Sequence, residues 1–186
     1  MHKNLSENSA ENSRARVGAS APDFLLKTEL GDDWLLSEQF GGVIVLLFYP
    51  QNETLVCTRQ LCSVRDNWEQ YLETKATIVG ISPATPLEHR QFAAKRNLPI
   101  RLLADPDRKV TAIFGKHWLF PIFSTRAVVV IDAKGIIRNR DIMLRAFRPS
   151  DAQLITDIYA ARGDALTERY DSIRKRIPKV GRGEST

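Results

Sequence analysis

Residues 43–62 read VIVLLFYPQNETLVCTRQLC, and this stretch decides the fold. Val43 to Phe48 is an unbroken apolar run of strand length, the pattern of a β-strand buried on both faces. Tyr49 to Val56 carries proline and asparagine and reads as a loop. From about Cys57 to Thr74, Leu61, Val64, Trp68, Tyr71 and Leu72 recur at helical spacing, so a helix follows. A buried strand that passes through a loop into a helix is the repeating unit of an α/β sheet. Ligand sites in such sheets lie beyond the carboxyl ends of the strands.

The flanking sequence extends the same alternation. Phe24 to Thr28 and Trp34 to Leu36 flank the turn signal Gly31-Asp32-Asp33 and predict an N-terminal β-hairpin. Ser37 to Phe40 predicts one helical turn. Strands are expected at Thr77–Ile81, Arg101–Ala104, Ala127–Ile131 and Ile136–Met143, the last two joined by the turn Asp132-Ala133-Lys134-Gly135. Helices are expected at Pro86–Asn97, with Leu87, Phe92 and Ala93 inward, at Val110–Phe114 closed by Gly115, and from the cap Ser150 to about Ala161. The result is an α/β fold with a mixed central sheet flanked by helices.

At 186 residues with 43% apolar content, the chain predicts one domain with a substantial core. Residues 1–17 read as a disordered polar tail, 18–165 as the domain and 166–186 as a basic tail. Arg174, Lys175, Arg176, Lys179 and Arg182 in that last segment read as a solvated, frayed terminus in preference to an arm for an acidic partner. The net charge of +5 is too small to argue for nucleic acid. No apolar run approaches the ~20 residues of a membrane helix, and the polar N-terminus lacks the apolar segment of a secretory signal. A cytoplasmic, reducing compartment is the expectation. Two cysteines and three histidines exclude a disulfide scaffold and a structural zinc cluster. In a reducing compartment, two nearby cysteines point to catalysis or redox activity.

A cysteine at a helix start faces unpaired backbone N–H groups and the positive end of the helix dipole. Both favour the thiolate, so Cys57 is a candidate nucleophile with a lowered pKa. The competing reading is a small buried hydrophobe.

The spacing Pro50-x-x-x-Thr54-x-x-Cys57, in its strand-loop-helix setting, resembles the signature of the peroxiredoxins. Gly80-Ile81-Ser82, Leu102-Leu103-Ala104-Asp105 and Val130-Ile131-Asp132-Ala133-Lys134-Gly135 are similar to that family as well. A second cysteine five residues after the first resembles its peroxiredoxin Q, or bacterioferritin-comigratory-protein, subgroup. The resemblance implies a thioredoxin-like fold and a thiol-dependent peroxidase that needs no metal, haem or flavin. Its substrate would be hydrogen peroxide, with organic hydroperoxides as a second class, and a thioredoxin-like dithiol would be its reductant. It assigns Cys57 as the peroxidatic nucleophile, Thr54 as a hydroxyl that donates or accepts, Pro50 as a wall against water and Arg126 as the cation for thiolate and leaving oxygen. The alternative for Arg126 is a surface cation at a strand start. It assigns Cys62 to resolve a Cys57 sulfenic acid as an intramolecular disulfide, the alternative being a packed helix residue.

In an ideal helix, residues five apart have Cα atoms roughly 8–9 Å from each other, whereas a disulfide needs less than ~7 Å. A Cys57–Cys62 bridge therefore requires the first turns of that helix to unwind. Two features depart from the family. Leu55-Val56 stands where Pro-Gly is usual, making the loop bulkier and stiffer. Lys116 to Phe123 is short and apolar, and reads as a lining of the peroxide approach, a dimer contact or a loop packed on the core; the chain is expected as a monomer or homodimer. Arg59 and Arg65 read as solvated helix residues, His89 as a surface residue and His117 as incidental. Two other functions compete. One is a thiol–disulfide oxidoreductase, which the five-residue spacing disfavours against Cys-x-x-Cys. The other is a non-enzymatic redox sensor.

Overall fold

The computed structural model describes residues 15–52, 55–115, 126–143 and 150–163, with only the backbone for 55–58 and 143. The strands are β1 (Leu25–Thr28), β2 (Asp33–Leu35), β3 (Ile44–Phe48), β4 (Thr77–Ser82), β5 (Arg101–Ala104), β6 (Arg126–Ile131) and β7 (Ile137–Met143). The α-helices are α1 (Leu55–Asp66), α2 (Trp68–Glu73), α3 (Pro86–Arg96), α4 (Lys109–Phe114) and α5 (Asp151–Arg162), and Ser37–Gln39 forms a 3-10 turn. All seven strands form one sheet in the order β2-β1-β5-β4-β3-β6-β7.

β3 lies at the centre, parallel to β4 and antiparallel to β6. Every residue of β3 and β6 is buried, as the apolar runs Ile44–Phe48 and Ala127–Ile131 require of strands covered on both faces, and Arg126 at the start of β6 is buried with them. Side chains alternate between two cores. Val45, Leu47 and Tyr49 face Leu61, Val64, Tyr71 and Phe92 of the helices, together with Leu154, Ile155 and Ile158 of α5. Ile44, Leu46 and Phe48 face Phe24, Trp34, Val110 and Phe114. Burying each such side chain contributes roughly 1.5–3 kcal/mol. The parallel pairs β3–β4 and β4–β5 are joined by the crossovers α1–α2 and α3, which cover one face of the sheet.

The hairpin forms as expected, with Leu25 opposite Leu35 and Leu26 opposite Trp34, and β1 joins the sheet antiparallel to β5. α3 starts at a capping box: Thr85 accepts from the Glu88 N–H, the Glu88 carboxylate accepts from the Thr85 N–H, and Pro86 occupies the first turn. Ser150 caps α5 through the Gln153 N–H, and Gly163 closes that helix at a positive φ of 71°.

Four sequence expectations need correction. The helix expected from Cys57 to Thr74 is two helices, broken at Asn67, whose ψ of 21° leaves the helical range. The Asn67 side-chain amide, in addition to the backbone N–H, donates to the Ser63 carbonyl, and it reaches Asp151 as well. Leu72 and Leu87 point outward, 56% and 64% exposed, and α3 buries His89 with Phe92. His89 is therefore interior: it lies three residues before Phe92, on the same helical face. The ordered domain also reaches into the expected tail, since Ala15 is buried and its N–H donates to the Ile113 carbonyl. Residues 1–14, the segment 116–123 and the basic tail lie outside the described residues. Among the described residues, no helix is long and apolar enough to cross a membrane.

Candidate active site

β3 delivers the chain to the site. Its pairing with β4 continues one residue further, with the Tyr49 N–H donating to the Ile81 carbonyl. The Tyr49 ring turns to the helical face and is 2% exposed. Gly80 of β4 makes room for it: a Cβ there would lie 2.7 Å from Leu102 Cδ2 and 3.2 Å from the Tyr49 ring. Pro50, Gln51 and Asn52 then leave the sheet at its carboxyl edge. They line a cleft of about 610 Å³ whose other wall includes Pro83, Ala84, Gln91 and Phe92.

α1 begins at Leu55, two residues earlier than expected, so Cys57 falls inside the first helical turn. Its own N–H is one of the four that lack an intrahelical acceptor. That position keeps the electrostatic argument for a thiolate, because the dipole effect is concentrated in the first turn. Thr54 and the Cys57 side chain lie outside the described residues.

Arg126 is brought to this helix by topology. β3 and β6 are antiparallel, with Phe48 opposite Ala127, so the end of β3 lies beside the start of β6. Arg126, the first residue of β6, is only 1% exposed. Its Nη1 donates to Gln60 Oε1 at 2.5 Å, and Gln60 is itself buried. The alternative of a surface cation is thereby overturned. Gln60 stands three residues after Cys57, on the same face of α1. The amide oxygen orients the guanidinium without cancelling its charge. Gln60 escaped the sequence reading, although a glutamine beside Leu61 on an inward helical face marks a buried polar contact.

Cys62 is a free, half-buried thiol further along the same continuous helix. The half of α1 beyond it is fastened down. Ser63 Oγ donates to Asp151 Oδ2 at 2.5 Å, and Tyr71 Oη donates to Asp151 Oδ1 at 2.8 Å. Arg65, expected as a solvated helix residue, is partly exposed and also held: Nη1 donates to the Arg96 carbonyl at 2.7 Å and Nη2 pairs with Asp66. The hydrogen bond to Asp66, and then the facing Cys62, raise the Arg65 pKa. Arg59 is exposed, as expected.

Behind the loop stands His89, fully buried between Tyr49, Asn52, Ser82 and Leu103. Burial pushes its pKa down, against weaker opposing pulls from hydrogen bonds at Ser82 and Leu103 and from the Glu29 and Glu88 charges. The unfolded chain therefore takes up a proton before the folded one. The stability tied to the neutral ring is present above the ordinary histidine pKa of ~6.5 and is lost as pH falls below it. Denaturant midpoints should accordingly drop between about pH 7.5 and pH 5, and His89→Gln should flatten that part of the profile.

A mixed sheet flanked by helices, with a cysteine in the first turn after the central strand, defines a thioredoxin-like fold carrying a thiol site. The chain belongs to the AhpC/TSA family, whose model matches residues 17–140. It is 37% identical over 130 residues to the chloroplastic Peroxiredoxin Q of Populus jackii, covering 67% of this chain and 59% of that protein. It is 41% identical over 98 residues to Peroxiredoxin Bcp of Bacillus subtilis, covering 53% of this chain and 62% of that one. The chain thus spans about three-fifths of the length of these curated relatives. The solved structure of Peroxidoxin BcpB from Mycobacterium tuberculosis superposes with a TM-score of 0.66 at 28% identity, over 81% of this chain and 98% of that one. A bacterioferritin comigratory protein of Xanthomonas campestris shares the fold at the same TM-score and 19% identity.

Proposed function

We propose that the protein is a cytoplasmic thiol peroxidase of the atypical two-cysteine kind. The Cys57 thiolate attacks one oxygen of a hydroperoxide. The O–O bond breaks, the departing oxygen takes a proton and leaves as water or an alcohol, and Cys57 becomes a sulfenic acid. Cys62 then attacks the sulfenic sulfur, water leaves, and a Cys57–Cys62 disulfide forms. A thioredoxin-like dithiol reduces that disulfide and is itself oxidised. Hydrogen peroxide is the primary substrate and organic hydroperoxides a second class.

The observation that carries this reading is the buried Arg126, held by Gln60 three residues from Cys57. A guanidinium there stabilises both the thiolate and the negative charge that develops on the leaving oxygen. Thr54, through its hydroxyl, and Pro50, through a ring without an N–H, complete the proposed site. The family membership and the relatives named Peroxiredoxin Q and Bcp support the same reading.

The test is rapid-mixing oxidation of the reduced protein by hydrogen peroxide, with a sulfenic-acid trap and peptide mass analysis, followed by steady turnover with thioredoxin and its reductase. We expect the trapped adduct on Cys57 and sustained turnover. Adduct formation elsewhere would overturn the assignment. A single oxidation with no turnover would favour a sensor.

A further inference from the structure

The most developed polar cluster outside the reacting groups lies behind the loop that leads to Cys57. His89 Nε2 is 3.1 Å from the Leu103 carbonyl oxygen. A carbonyl only accepts, so Nε2 carries the hydrogen and Nδ1 presents a lone pair. That lone pair faces Asn52 Nδ2 at 3.4 Å and Tyr49 Oη at 3.3 Å. Tyr49 Oη donates to Asn52 Oδ1 at 3.0 Å, closing a three-residue ring of contacts. On the other side, Ser82 Oγ lies 3.4 Å from Nε2 and accepts from the Ala84 N–H. One imidazole thus joins the ends of β4 and β5 to the loop, and Asn52 stands only three residues before α1. His89 is wholly buried, so these bonds form without competition from solvent.

We infer that His89 is a positioning residue for the active loop, holding Asn52, and through Asn52 the Tyr49 hydroxyl, by the Nδ1 lone pair of a single neutral tautomer. The inference rests on the reading of Cys57 as the reactive thiol. Among the described residues, the hydrogen-bonding contacts of the His89 ring are Tyr49, Asn52, Ser82 and Leu103. His89 acts through Asn52 and Tyr49, which bracket Pro50. Protonation at Nδ1 turns its acceptor into a donor facing the Asn52 amide, and the loop loses its anchor. The charged groups facing the ring are Glu88 on its own helix and Glu29 after β1, and both favour the proton; the Tyr49 phenol faces it from the end of β3.

The experiment is hydrogen–deuterium exchange of peptides covering residues 49–56, corrected for the intrinsic effect of pH, on the full chain, alongside the rate constant of Cys57 oxidation by hydrogen peroxide. In the wild type, protection of this segment should fall as the pH drops through the range where His89 protonates. Losing a hydrogen bond of about 1 kcal/mol net makes exchange about fivefold faster, and Asn52→Ala and His89→Phe should each do so at neutral pH. Both should slow peroxide oxidation by a similar factor. His89→Gln, which can still donate to Leu103 and accept from Asn52, should keep neutral-pH protection and lose its pH dependence. If His89→Phe fails to fold, Asn52→Ala tests the same bond from the loop side. Exchange in Asn52→Ala equal to wild type, or an unchanged pH dependence in His89→Gln, would overturn the inference. Failure of wild-type Cys57 to react with peroxide would instead strike the proposed function, and the exchange data would still decide this point.

Discussion

Arg126→Met should lower the rate constant for Cys57 oxidation by hydrogen peroxide about 10²–10³-fold, the usual cost of removing one donor to a developing oxyanion. Arg126 is 1% exposed and held through Nη1 by Gln60, so its charge acts with little screening by water. In the proposed reaction, negative charge moves from the Cys57 sulfur to the departing oxygen. A planar cation serves both ends of that transfer without reorganising. Methionine fills much of the same volume but offers no donor, and it leaves Gln60 Oε1 without this partner. That loss costs about 1–3 kcal/mol of stability. Thermal denaturation beside the kinetics separates the two effects. Arg126→Lys keeps the charge without the rigid fork, so its rate should fall between methionine and wild type. Gln60→Ala tests the orienting contact and should cost less than Arg126→Met, because the charge remains. An unchanged rate constant in a folded Arg126→Met protein would remove Arg126 from the mechanism.

The parts legible in the sequence were those whose physics is local. The apolar runs at 44–48 and 127–131, the Gly31–Asp33 turn and the Ser150 cap each dictate structure over a few residues. The break at Asn67 was not legible, because Val64, Trp68 and Tyr71 keep helical spacing across it. At the break, the Asn67 side-chain amide bonds the Ser63 carbonyl and Asp151, 84 residues away, and the second of these contacts is set by the tertiary fold. Arg126 was visible only as a match to a family position. Its burial and its bond to Gln60 depend on the antiparallel pairing of β3 and β6, which no local pattern encodes. His89 was misread for a related reason. Leu87 is the more apolar residue, but the face of α3 that meets the core is set by Phe92 and by the polar groups that Tyr49, Ser82 and Leu103 supply. A histidine is interior when its hydrogen-bonding partners wait there, and those partners come from three other strands or their ends.

Cys62→Ser should leave the first oxidation of Cys57 unchanged and lower sustained thioredoxin-coupled turnover by about 10²-fold. That factor is the ratio of an intramolecular thiol near millimolar effective concentration to a reductant at roughly 10 µM. The structure limits how the second thiol can reach the first. α1 is continuous from Leu55 to Asp66, which keeps the two Cα atoms beyond disulfide reach. Beyond Cys62, Ser63 and Asn67 are tied to Asp151, and Arg65 is tied to the Arg96 carbonyl. Ahead of it, among the described side chains, Gln60 ties α1 to the sheet through Arg126. In the proposed cycle, the end expected to unwind is therefore the Cys57 end. The leucine and valine at 55 and 56 are better helix formers than the proline-glycine pair usual in the family, so unwinding should be slower here than with that pair. Peptide mass analysis distinguishes the outcomes. Wild type oxidised by one equivalent of peroxide loses the mass of a hydrogen pair on the peptide spanning both cysteines, whereas Cys62→Ser gains an oxygen on Cys57. Asp151→Ala, which removes the Ser63 tie at the far end of α1, should leave that first oxidation unchanged and should not be needed for the bridge to form. If Cys62→Ser sustains turnover at the wild-type rate, the reductant attacks the Cys57 sulfenic acid directly and the helix has no need to open.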